Sequence, residues 1–240
     1  MSIVALCLRL CAVQALKGRT LAGPNIADSS IAAIDELAGE RKSGAFAVVY
    51  TDEDESTLEG FGNALSSGKR KLDLTIDMGI AEKVDVEDGG SVYTLGETDG
   101  TREAAIDILK SDIMRVLQAD TSPYAEAFRL LAGTVINVHV RRGAGADKGV
   151  RFAAREICLS MDACDEPMPA AEISDDWRAI IDLIGAVPGL MPIAASIEQR
   201  LTASPDLPDW KREQALLGLT NEAADAIGLA PVQTSPLAQP

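Results

Sequence analysis

The chain has 240 residues, of which 47% are apolar, 25% charged and 4% aromatic; that balance specifies a folded protein of one or two domains with a sizeable core, not an acidic disordered segment. Its 22 Lys and Arg stand against 37 Asp and Glu, a formal charge of −15, which repels phosphates and anionic lipid and excludes a broad surface for either. No apolar run reaches the roughly 18–20 residues that span a bilayer, so no membrane partner is expected.

Met1 to Leu8 is apolar but has no basic residues before it and is interrupted by Arg9, so it reads as a mature helix, not a secretory signal. That helix runs from about Ile3 to Lys17, with Ile3, Leu6, Leu10 and Val13 forming one core-facing stripe, and stops at Gly18. Asn25 to Lys42 is ambiguous; Ile31, Ile34 and Leu37 permit a short helical piece. Ala45 to Thr51 reads as a strand buried on both faces, followed by an acidic loop, Asp52 to Gly68. From Lys69 to Ala81 strict alternation puts Leu72, Leu74, Ile76, Met78 and Ile80 on one face of a half-buried strand. A second acidic loop, Val84 to Gly100, precedes a helix capped by Thr101, with Ile106, Leu109, Ile113 and Val116/Leu117 as its apolar stripe.

Ser122-Pro123 starts a short helix ending at Gly133. Two strands follow, Thr134–Arg142 and Arg151–Met161, joined by the glycine-rich loop 143–149. The order predicts an α+β fold: an antiparallel sheet from two β-hairpins with helices packed on one face, plus a C-terminal helical extension. Residues 1–169 form the α+β domain and 170–229 the extension, where Ser174 caps a helix carrying Trp177, Ile180, Ile181 and Ile184; 230–240 is a flexible tail.

Little in the chain suggests catalysis. His139 is the single histidine, on a strand face shared with Val135, Asn137 and Arg141, and reads as a solvent- or interface-facing residue rather than a general base. Cys7, Cys11, Cys158 and Cys164 lack the spacing of zinc or redox sites and read as reduced, buried thiols. In loop 143–149, Lys148 precedes a glycine and a strand follows, unlike a phosphate-binding loop, where Gly-Lys leads into a helix. Asp52-Glu53-Asp54-Glu55 lacks the calcium-loop pattern, since position 6 is Thr57 and position 12 is Asn63. No catalytic residue, metal ligand or cofactor is therefore assigned. Arg141, Arg142, Lys148 and Arg151 cluster as a candidate subunit or partner interface. Residues 51–100, with 4 Lys and Arg against 13 Asp and Glu, concentrate the acidity; Asp52, Glu53, Asp54, Glu55, Asp85, Glu87 and Asp88 are candidate channel- or partner-facing loop positions.

One stretch of pattern goes further. An N-terminal helix ends near Thr20-Leu21-Ala22-Gly23, an apolar strand ends in Val49-Tyr50-Thr51-Asp52, and an acidic loop, a long alternating strand, a helix and a final hairpin follow. Over about residues 1–165 this resembles the tail terminator (tail completion) proteins of long-tailed bacteriophages and phage-like particles. The resemblance implies no catalytic residues. It implies a homo-oligomeric ring, usually hexameric, in the neck of the virion and assembled in the host cytoplasm. Such a ring caps the tail tube, ends its polymerisation and meets the head-side connector, while DNA passes through without specific binding. The helical extension is longer than the compact family pattern; an arm contacting a neighbouring ring is the expectation for it. Three other readings stand beside this one: a head-completion or connector adaptor, a cytoplasmic protein-binding adaptor, and a metal-assisted hydrolase using the acidic loops.

Overall fold

The computed structural model describes residues 2–29, 44–57, 69–85, 91–95, 99–142, 153–167 and 172–202, with six more between 210 and 227; of 82–85 and 91–95 it describes the backbone alone. The chain forms a mixed α+β fold divided into two compact units. The first is Met1–Glu55 with Arg70–Cys164; the second is Ser56–Lys69 with Asp165–Pro240.

The first unit is built on one sheet. Its strands are β1 (Ile26–Asp28), β2 (Gly44–Thr57, of which Ser56 and Thr57 fall in the second unit), β3 (Lys69–Asp85, of which Lys69 does), β4 (Ser91–Leu95), β5 (Thr134–Arg142) and β6 (Ala154–Ala163). They follow the path β1-β2-β3-β6-β5, with β4 joined to β3 off that path. β3 pairs antiparallel with β6, and β6 with β5. The sheet is not wholly antiparallel, because β1 lies parallel to β2 with Ile26 opposite Ala47 and Asp28 opposite Val49. Three residues are too few to show a period, which is why this strand escapes a reading by alternation.

Alternation sorts the two faces of the central strands. Leu72, Leu74, Ile76 and Met78 on β3, with Ile157, Leu159 and Met161 on β6, are buried on one face. Ile80, expected in that row, is only half-buried. Its neighbour Ala81 is buried instead, in a small cluster with Phe46, Val48 and Ala154, on which Ala27 and Tyr50 pack.

Among the described residues three helices belong to this unit: α1 (Ile3–Leu16), α2 (Gly100–Ala119) and α3 (Pro123–Ala132). α1 was expected to bury one stripe, yet Val4, Ala5, Cys7, Leu8, Leu10, Cys11, Ala12 and Val13 are all buried. A helix apolar nearly all round, Arg9 and Gln14 apart, belongs inside, and α1 packs against β1, α2 and α3. α2 buries Ile106, Leu109, Ile113, Val116 and Leu117. Its cap is Asp99, not Thr101: the Asp99 carboxylate accepts the N–H groups of Thr101 and Arg102, both at 2.8 Å. α3 is capped by Ser122, with Pro123 in its first turn and Gly133 closing it at φ +58°. Arg129 of α3 donates to the carbonyls of Leu117 (3.2 Å) and Asp120 (2.8 Å), satisfying oxygens that the end of α2 leaves without helical partners.

In the second unit, α4 (Asp175–Gly185) and α5 (Met191–Leu201) pack against each other. Ile180, Ile181 and Ile184 are buried on α4, and Ala194, Ile197 and Leu201 on α5. An added Cβ at Gly185 would lie 3.5 Å from the Ala194 Cβ, a close helix approach, and Arg178 pairs with Glu198 across the two helices.

Candidate assembly surfaces

Beyond the cluster of Phe46, Val48, Ala81 and Ala154, the sheet face opposite the Leu72–Met78 row is polar. Three rungs cross it from β3 through β6 to β5: Asp73–Ser160–Asn137, Thr75–Cys158–His139 and Asp77–Glu156–Arg141. With Asp52 and Glu53, all of these side chains except Asp77 border a trough of about 430 Å³. His139 thus lies on a solvent-facing strand surface and shares its face with Asn137 and Arg141. Val135 does not share it. A register shift between Val135 and Asn137, a β-bulge, turns Val135 to the other face. There it joins Met114, Leu117, Phe128 and Leu159 around an apolar hollow of about 230 Å³.

The chemistry of the trough is that of a carboxylate-rich surface. Cys158 sits in register with His139, but burial and the nearby Asp73 carboxylate, 3.6 Å from its Sγ, push the thiol up. A nucleophilic cysteine needs the opposite shift. Burial also raises Asp77; the hydroxyl of Tyr50, donating at 2.8 Å, works against this, and Glu156 and Asp52 add to it. The Tyr50 phenol is raised in turn by burial and by Asp77. Of the thiols, Cys7 and Cys11 are buried as expected, with Cys11 pushed up to about 12 by burial, whereas Cys158 and Cys164 are only half-buried. Among the described residues no three His, Cys, Asp or Glu side chains are grouped to hold a metal ion, and no helix is long and apolar enough to cross a membrane.

The acidic positions expected in a loop are in a strand. Asp52, Glu53, Asp54 and Glu55 lie on β2, which continues to Thr57. Pairing with β3 overrides the poor strand propensity of Asp and Glu. Burial works to raise Asp54, but Arg70, donating at 2.8 and 3.0 Å, outweighs it and holds the carboxyl below its usual range. Asp85 ends β3, so it too belongs to a strand, opposite Ser91 of β4. Glu87 and Asp88 lie outside the described residues.

The proposed arginine cluster is brought only partly into view. Arg141 and Arg142 stand at the end of β5, while Lys148 and Arg151 lie outside the described residues. The Arg141 side chain is 69% exposed and only 3.8 Å from Glu156 at its nearest. Arg142 donates to Glu103 at 3.0 Å, and Arg155 shares that carboxylate at 2.9 Å.

Missing from the sequence-based site is the apolar character of the β5 surface. β5 ends the strand path, and Val135, Ile136 and Val138 on it are 44%, 49% and 42% exposed. Among the described residues no strand pairs with its outer edge, and an apolar strand edge left open is a surface on which another chain can pair. The adjacent Val135-Ile136 pair, breaking the alternation, was the one available sign of the bulge. No protein-family model matches this chain, and neither does any curated protein.

Proposed function

We propose that this chain is a structural subunit that closes with copies of itself into a ring, a tail-terminator-like protein of a phage or phage-like particle. In this reading the ring, a hexamer by the resemblance, sits at the neck of the virion. It caps the tail tube, stops its growth and joins it to the head-side connector. The reading includes the finer architecture: two hairpins forming the sheet, with helices over one face. The observation that carries it is β5, a terminal strand exposing Val135, Ile136 and Val138. Such a strand suits assembly better than a solitary life, since long apolar edges otherwise invite uncontrolled pairing. A head-to-tail contact that closes gives a ring instead of a fibre.

The electrostatics support the same reading. A chain of charge −15, repeated around a channel, repels DNA and lets it slide, whereas a basic lining would hold the phosphates. Imaging of particles from cells that make the protein tests the reading. A ring of this chain at the proximal end of the tail tube is expected, and a chain absent from particles would overturn it.

A further inference from the structure

We infer that the subunit contact joins the outer edge of β5 in one copy to the outer edge of β2, residues Thr51 to Glu55, in the next; this rests on the proposed ring. Both edges are open among the described residues. β5 ends the strand path. On the opposite side, β1 covers β2 only as far as Val49, which faces Asp28 and accepts the Ser29 N–H at 3.0 Å. From Thr51 onward no described strand lies on that side of β2.

The two edges are complementary in charge. β5 ends in Arg141 and in Arg142, which donates to Glu103 of its own subunit, and the uncovered part of β2 carries Asp52, Glu53 and Glu55, with Asp54 engaged by Arg70. A β2–β2 contact would set carboxylates against carboxylates, whereas β5 against β2 brings Arg141 beside Asp52 and sets the uncharged residues before it along the rest of the arm; like charges directly opposite are penalised and opposite ones favoured.

Level and direction also agree. Asp54 meets Arg70 while Tyr50 meets Asp77, the sense of an antiparallel β2–β3 pair. With β3–β6 and β6–β5 antiparallel as well, β5 runs opposite to β2 within one subunit. A lateral repeat of the subunit therefore adds β2 of the next copy antiparallel to β5. Asp77, Glu156 and Arg141 form one rung, and the Tyr50 hydroxyl reaches the same Asp77. The repeat thus places Arg141 level with Tyr50 to Asp52 of the next copy, and the sheet continues from subunit to subunit. Val135, Ile136 and Val138 lie along the same edge and lose water in the contact.

Charge reversal tests this in the full chain. Size-exclusion chromatography with light scattering reads the mass of wild type, R141E/R142E, D52K/E53K and the four-fold variant, with circular dichroism to establish folding. The wild type should assemble. Each pair of reversals alone should shift the protein to monomer, because it sets like charges across the junction. The four-fold variant, and an equimolar mixture of the two double variants forming alternating rings, should recover the assembled mass. Wild-type mass retained by either folded double variant would overturn the inference while leaving the ring reading intact. So would failure of both the folded four-fold variant and the mixture to reassemble. A monomeric wild type would overturn the ring reading itself.

Discussion

Arg9 is buried in the middle of a mostly apolar helix, and its guanidinium donates to Asp28 at 2.5 Å and to the Thr51 hydroxyl at 3.3 Å. It thereby ties α1 to β1 and to β2. Removing it leaves Asp28 without that charged donor, so Arg9→Ala should cost about 1.5–3 kcal/mol in urea unfolding. Gly133 is constrained differently: φ is +58°, and an added Cβ would lie 2.3 Å from the carbonyl oxygen of Asp162. Gly133→Ala should therefore destabilise by about 1–3 kcal/mol or more by the same measurement. Asp77 faces Glu156 directly across two strands, and burial raises its carboxyl. The folded chain thus holds this proton more tightly than the unfolded chain does. The stability it confers is complete below the ordinary carboxylate range and is lost as pH rises through the raised value. Asp77→Asn keeps an oxygen to accept from Tyr50 and removes the charge. Near neutral pH it should equal or exceed the parent by up to about 1 kcal/mol, and that advantage should vanish on acidification to about pH 4. Asp54 has the opposite sign. Its lowered carboxyl contributes stability above the ordinary range and loses it as pH falls.

At the scale of the element, β5 is where the proposed assembly would separate from folding. Val138→Lys places a charge where the side chain is already 42% exposed, so monomer stability should change by no more than about 0.5 kcal/mol. Assembly should nevertheless fail, because a lysine on an edge strand opposes pairing; thermal unfolding and sedimentation of one sample check both. The elements legible in sequence are those whose pattern is long and regular. The stripe from Ile106 to Leu117 marks α2, alternation from Leu72 to Met78 marks β3, and Ser122-Pro123 with Gly133 bounds α3. The rest was hidden for separate physical reasons. β1 is three residues long and depends on its parallel neighbour. The continuation of β2 through Asp52 to Glu55 contradicts local propensity and exists because β3 lies beside it. The same holds for the open face. Asn137, His139 and Arg141 are readable as one side of β5, but Cys158 and Asp73 join them only through pairing across three strands. No local signal announces such neighbours.

For the whole molecule, the charge of −15 has a distribution that matters more than its size. Carboxylates gather on the open face, which Arg141 also borders, and on the outer arm of β2, at the other end of the strand order from Arg141 and Arg142. A subunit polarised in this way is suited to head-to-tail association and poorly suited to gripping phosphates. Because exposed charges are screened beyond roughly 8–10 Å at physiological salt, only close pairs across a subunit junction would feel this polarity. The central claim is self-assembly, and the most direct measurement is the mass of the purified full chain by light scattering across a concentration series. A closed oligomer of fixed stoichiometry is expected, six subunits by the resemblance. A strict monomer at every concentration would contradict it.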